Sequence, residues 1–335
     1  MMTHRERIES ALAQKEVDRL PYSLWMHFPN RDRMPSRLAE LALHLQRELD
    51  LDFVKYMPYG MYSTVDWGSE LKVFTGFDEP PVPHNFPIQK PEDWDKITPR
   101  KGTRGEYAVV LESQRIFMEM RKESTQESVP FLQTVFSPMT TAAKLASEAT
   151  LIEHLRLCPE KVKRGLEVIM ETTTQFARAA VGEGADGLFF ATQMSTRKIT
   201  AEEHAAFVKT YDIPILNAIR GNSWFNILHI HGADTWFEEL LDYPVQALNW
   251  HDRDDGPSFS EARKKAPDKA FVGGLSHLKV LTDGTDAEVR SQVEDVWKNG
   301  GRGVVLGPGC VARPCTCMER LKFIRRCIEM TAKNK

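Results

Sequence analysis

Asn226-Ile227-Leu228-His229-Ile230-His231-Gly232 is the stretch on which the fold turns. A short apolar run closed by glycine reads as a buried strand. A helical pattern over 202–211 precedes it, a short one over 236–241 follows, and a second apolar run, Ala247-Leu248-Asn249-Trp250, comes next. The same alternation extends in both directions. Upstream lie strand-like Val129 to Phe136, helical 142–157 and 159–181, and strand-like Ala185 to Ala191. Downstream lie Ala270 to Gly274, helical 287–298, Gly303 to Gly307 and a closing helix over 318–330. Toward the N-terminus, 3–14 predicts a helix capped by Thr3 with Glu6 at capping-box spacing, 19–26 a buried strand, 37–50 a helix and 51–56 a strand. Strands near 20, 52, 130, 186, 227, 247, 271 and 304 alternate with helices, which predicts a parallel sheet buried on both faces. Eight such units in 335 residues suit a single (β/α)8 TIM barrel of class α/β spanning 1–335, more than an open sheet. No G-x-G-x-x-G and no Walker loop is present.

Between Met57 and about Gly105 the rhythm breaks. Pro58, Pro80, Pro81, Pro83, Pro87 and Pro91 interleave with aromatics, which reads as a long ordered excursion, followed by a helix from Glu106. With 41% hydrophobic and 27% charged residues the chain can bury a sizeable core, and a net charge of −3 argues against a nucleic-acid partner. No apolar run approaches membrane-span length. Met1 to Arg7 lacks the apolar core of a signal peptide, and five cysteines do not form a disulfide framework, so the expected location is cytoplasmic. The expected assembly is a monomer or a homodimer.

In a barrel the chemistry sits where strands end. Strand side chains alternate, so His229 and His231 face one side just before Gly232. Cys310, in Leu306-Gly307-Pro308-Gly309-Cys310, follows the last strand, and a barrel brings both strand ends to one face. Two imidazoles and a thiolate can hold Zn2+ with a position left open. H-x-H pairs also line polar barrel mouths without any metal. Cys315-Thr316-Cys317 is a competing source of thiolates, read as structural, while Cys158 and Cys327 are expected in helices.

Several segments resemble the uroporphyrinogen decarboxylase (URO-D) superfamily. They are Arg5 to Leu12 with Asp18-Arg19-Leu20-Pro21, then Pro130 to Pro138 with Met139-Thr140, then Gly184-Ala185-Asp186-Gly187. Leu228-His229-Ile230-His231-Gly232, Gly273-Gly274-Leu275, Gly300-Gly301 and Leu306 to Cys310 follow in the family's order. The resemblance covers nearly the whole chain and implies a (β/α)8 barrel. It is nearest to the zinc-dependent cobamide methyltransferases, whose H-x-C…C site binds an acceptor thiol as thiolate. This implies metal ligands His229, His231 and Cys310, with a corrinoid, free or carried by a partner corrinoid protein, as methyl donor. His231 stands where that branch has cysteine, so one thiolate is lost and the ion keeps a net positive charge. A more positive ion donates less charge to a bound thiolate and is a stronger Lewis acid.

The decarboxylase branch has an arginine-rich R-Q-A-G-R segment after the first strand and an aspartate after the second. Here those places hold Trp25 to Arg33 and Leu51 to Pro58, with Arg31, Arg33 and Lys55 as the available carboxylate anchors. A carboxy-lyase acting on a carboxylated tetrapyrrole or other acid is therefore the alternative, and it requires those three cations to converge on the cavity of His229. A non-catalytic corrinoid- or tetrapyrrole-binding protein is a third reading.

Other strand-end residues complete the candidates for a small-molecule site. His251 and Asp252 could supply a general base or support the metal ligands, or be ordinary loop residues. Gln193 is a further catalytic candidate. Trp25, His27, Lys55, Tyr59 and His277 are candidate substrate-binding residues, and the Pro- and aromatic-rich segment from Met57 to Pro91 is expected to shape the entrance. Tyr56, Tyr59, Tyr62 and Trp67 would suit a flat or apolar ligand face, though aromatics at this density are more often core, and the thirteen methionines are read as core filler.

Overall fold

The computed structural model describes residues 2–72, 81–124 and 129–333. Residues 73–80 of the expected entrance segment lie outside them. Nine strands are present among the described residues: β1 Val54–Tyr56, β2 Leu71–Lys72, β3 Val82–Pro83, β4 Phe131–Phe136, β5 Gly187–Gln193, β6 Ile227–His231, β7 Ala247–Trp250, β8 Ala270–Leu275 and β9 Val304–Pro308. Seven form one parallel sheet in the order β1-β4-β5-β6-β7-β8-β9, while β2 and β3 make a separate antiparallel ribbon within the excursion.

The strand expected over 19–26 does not form. That segment makes only isolated parallel bridges, Tyr22 to Leu306 of β9 and Met26 to Ala312 in the chain just after it. Pro21 has no N–H to give a ladder, yet its carbonyl accepts from Leu306 N at 2.8 Å, and Ser23 N donates to Leu306 O at 3.0 Å. On the other side Asp52 N donates to Tyr22 O at 2.9 Å and Ser23 Oγ to Phe53 O at 2.7 Å. Residues 21–26 thus lie between the last strand and the chain leading into β1.

Helices cover the outer face. His4–Leu12 starts at the predicted capping box, with Thr3 N donating to Glu6 Oε2 at 2.8 Å and Glu6 N to Thr3 Oγ1 at 3.2 Å. The helical pattern over 142–157 is two helices, Pro138–Ala146 and Glu148–Leu157, because Ser147 turns the chain at φ 66° and caps the second through Thr150 N. Cys158 sits between Glu148–Leu157 and Pro159–Gly182 rather than inside a helix. Past His204 the predicted helix continues through a π turn at Ala205–Lys209 into Thr210–Ala218, which carries Pro214. The excursion holds the short helix Tyr62–Val65 and a 3-10 helix at Pro91–Lys96.

Strand alternation separates two cores. Leu228 and Ile230 of β6 pack outward with Val135, Leu188 and Phe190 against the helices. Inside the sheet's curve lie Phe53, Leu132, Phe189, Ile227, Ala247, Val272 and Val305, with Trp25 among them. Below them, at the strand starts, fully buried Asp52 receives Arg7 Nη1 at 2.6 Å and Arg19 Nη1 at 2.6 Å. One buried and one half-buried guanidinium on a single carboxylate offset its desolvation, and Arg7 ties the N-terminal helix to the chain entering β1.

Candidate metal centre and cavity

The interior apolar layer ends at Ile227, and the next inward positions of β6 are His229 and His231. Their rings are 5.6 Å apart. Cys310, just past β9, brings Sγ to 3.6 Å from His229 Nε2 and 3.5 Å from His231 Nδ1. Gly309 makes this approach feasible: a Cβ there would sit 3.0 Å from His251 Cα and from Trp250 O. Ligand atoms of His229, His231, His251 and Cys310 all lie within 4.8 Å of one another. His251 follows β7, and its Nδ1 lies 2.8 Å from Asp255 Oδ2. It therefore joins the donor cluster, one member more than the sequence triad.

The outer partners favour metal binding. Asn249, inward on β7 and fully buried, donates its Nδ2 to Val272 O at 2.8 Å and Pro308 O at 3.1 Å. Its Oδ1 is thereby left as acceptor for His229 Nδ1 at 2.6 Å. This fixes the proton on Nδ1 and presents the Nε2 lone pair to Cys310. Burial, then the charges of His231, Lys55 and His251, holds the His229 imidazole well below its ordinary pKa. His231 reaches solvent at the cavity mouth, but the burial of its ring there, with His251, His277 and both nearby lysines, lowers it to about 4. Neutral imidazoles are the form that binds a metal. Burial raises the Cys310 thiol while Lys55 pulls it down.

The cluster opens into a cavity of about 230 Å³. Gln193, His27 and Lys55 line it, with Met57, Thr134, Thr140 and Thr192. Lys144, on helix Pro138–Ala146, also lines it and was not singled out in the sequence. Its only signal is a lysine on a helix whose other residues are almost all buried.

Other candidates fall elsewhere. Asp252 points to the opposite side of the chain from His251, accepting from Gly274 N at 3.0 Å and lining a separate pocket with Arg253 and Asp295. That placement does not suit a general base for the His229 cavity. Trp25 lies in the interior core, its ring 5.5 Å from that of Phe189, below the cavity rather than in its wall. Tyr59 is buried beneath Arg33, whose guanidinium carbon is 5.3 Å from the ring centroid. His277 packs behind His251 with the rings tilted and their centroids 4.4 Å apart, and its Nδ1 lies 3.0 Å from Asp254 Oδ2. Cys315 and Cys317 are exposed and do not join the cluster. Of the three cations required for a carboxylate anchor, Arg31 and Arg33 are exposed and only Lys55 lines the cavity, so the three do not converge.

No helix among the described residues is long and apolar enough to cross a membrane. The methylcobamide:CoM methyltransferase MtaA of Methanosarcina barkeri (strain Fusaro / DSM 804) is 23% identical over 338 residues, covering 96% of each chain. A second MtaA sequence from Methanosarcina barkeri is 22% identical with the same coverage. A solved methyltransferase from Methanosarcina mazei shares the fold at a TM-score of 0.84, with 21% identity and 99% of each chain covered. A B12-independent methionine synthase from Shewanella sp. W3-18-1, solved with selenomethionine, is more distant at a TM-score of 0.59 and 13% identity, covering 94% of this chain and 97% of its own. The model of the uroporphyrinogen decarboxylase (URO-D) family matches residues 3–330, and the chain belongs to that family.

Proposed function

We propose that this protein is a zinc-dependent methyltransferase, built as one closed (β/α)8 domain over 1–335, that moves a methyl group from a corrinoid donor to a small acceptor. The observation that carries the reading is the donor cluster itself: three imidazoles and a thiol within 4.8 Å, with Asn249 aiming one lone pair into it. The similarity to MtaA over nearly the whole chain supports methyl transfer and a corrinoid donor, whether free or carried by a partner protein.

The residues fit a zinc ion by number, donor type and orientation. His229, His231 and Cys310 would hold it, and His251 is a fourth donor or a base beside it. A bound zinc ion supplies Lewis acidity that lowers the pKa of an acceptor S–H or O–H. The chain's own residues do the rest. Asn249 keeps His229 in one tautomer, and Asp255 does the same for His251. Lys55, whose Nζ lies 4.0 Å from the Phe189 ring centroid, stands near Cys310 and pulls its thiol down against the raising effect of burial. In the transfer the acceptor's lone pair forms the new bond to the methyl carbon, the cobalt–carbon electron pair stays with the donor, and the acceptor proton leaves to His251 or water. The apolar floor of Phe136, Met57 and Val311 excludes water from the transferring group. Methyl transfer from methylcobalamin by the zinc-loaded protein, abolished in His229→Ala, tests the reading.

A further inference from the structure

Asp252 follows His251 but turns to the opposite side of the chain, into a second cavity of about 150 Å³. Its walls are the loop after β7, with Asp252 and Arg253, the start of helix Phe259–Lys265, with Phe259 and Ser260, and helix Asp286–Asn299, with Asp295 and Val296. Gly273 of β8 makes room for this wall: a Cβ there would stand 2.5 Å from Asp252 Oδ1 and 3.2 Å from Phe259 Cζ. The Asp252 side chain is 3% exposed. Its Oδ1 accepts from Gly274 N at 3.0 Å. Its Oδ2 lies 3.7 Å from Arg253 Nε, beyond hydrogen-bond length. That guanidinium is engaged elsewhere: Nε donates to Gly274 O at 3.1 Å and Nη2 pairs with Asp295. Asn299 Nδ2 donates to the other Asp295 oxygen at 2.8 Å. Arg253 and Asp295 thus balance one another, and Asp252 is the charge left over in the wall.

We propose that this cavity is a second ligand site, for a small organic cation whose N–H groups meet Asp252 Oδ2 while its apolar part lies against Phe259 and Val296. A structural role accounts for Asp252 only in part. Capping Gly274 N needs one neutral acceptor, which an asparagine supplies without the desolvation of a carboxylate. The second oxygen and the charge stay unused until a donor arrives. Three features select the ligand. The described lining residues carry two carboxylates and one guanidinium, a net negative charge that disfavours an anion. The half-buried Phe259 ring offers a face to a cation or a flat body. The volume admits a single ring or a short chain. None of these residues lines the strand-end cavity of His229, so the two sites are separate.

The site does not depend on the methyltransferase reading, and neither does its test. The probes are benzamidine, its neutral counterpart benzamide and the anion benzoate, each titrated calorimetrically into the full chain, zinc-loaded and chelator-stripped. A charge-assisted hydrogen bond to Asp252 predicts that benzamidine binds roughly tenfold more tightly than benzamide, with benzoate weaker still. The order should be the same with and without zinc. Asp252→Asn keeps an acceptor for Gly274 N and should remove the preference for benzamidine, leaving benzamide unaffected. Ser260→Tyr, at an exposed lining position, should weaken benzamidine and benzamide alike by filling the cavity while the carboxylate stays in place. It carries the test if Asp252→Asn fails to fold. Equal binding of benzamidine and benzamide, tighter binding of benzoate, no detectable benzamidine binding at millimolar concentration, or a preference that survives in folded Asp252→Asn overturns the proposal, whatever the zinc content.

Discussion

Asn249 Oδ1 lies 2.6 Å from His229 Nδ1, while the same amide's Nδ2 donates to two backbone carbonyls, Val272 O and Pro308 O. The two carbonyls fix which end of the amide faces the histidine. They therefore decide which imidazole nitrogen keeps a lone pair for a metal. Asn249→Ala should weaken zinc affinity by about 10–100-fold with all four donors still present. Competition with a chromogenic chelator measures this, and unchanged affinity would show that the histidine needs no such support.

Gly309 stands between β9 and Cys310. Gly309→Ala places a Cβ 3.0 Å from Trp250 O and His251 Cα, so the backbone carrying His251 or Cys310 must give by a few tenths of an ångström. The expected outcome is weaker zinc binding together with a loss of about 1–3 kcal/mol of stability, read by chelator competition and denaturant unfolding.

Asp52 lies at the opposite end of the strands from the donor cluster. Removing its carboxylate in Asp52→Ala leaves Arg7, which is 4% exposed, as a buried charge without that partner. A loss of about 3–5 kcal/mol is expected, with zinc content of the folded fraction unchanged. A zinc loss matching that of Cys310→Ser would contradict the separation of the two ends.

Asp212 is fully buried beside Tyr243, whose hydroxyl donates to Oδ2 at 3.0 Å, and burial pushes its carboxyl up to about 8. A folded-state pKa above the unfolded one means the folded chain holds the proton more tightly. The stability this contributes is complete below about pH 4 and is lost as pH rises through 8. Asp212→Asn, which is neutral at every pH, should therefore show a shallower fall in stability between pH 5 and pH 9. Parallel denaturant midpoints for wild type and variant across that range would contradict it.

The parallel sheet was legible from the spacing of short apolar runs, because strands buried on both faces read as continuous hydrophobic segments. Residues 19–26 looked the same by composition, yet Pro21 and pairing at isolated points keep them from forming a strand. His229, His231 and Cys310 were legible because strand alternation and chain order fix their face. His251 and Asp252 could not be separated in sequence, since adjacent residues face opposite sides and the register of a strand end sets which one turns inward. Lys144 was hidden because a lysine on an amphipathic helix ordinarily faces water, and only the tertiary packing of Pro138–Ala146 turns it toward the cavity. Asn249 gave no signal alone, since its role depends on carbonyls from two other strands.

The most direct test of the central claim is metal content of purified protein, wild type beside Cys310→Ser and His229→Ala. The account predicts about one zinc per chain in the wild type, lost or sharply reduced in both variants. A wild type that takes up no metal even when zinc is supplied, or variants that keep it in full, would contradict the metal centre and the methyltransferase reading built on it.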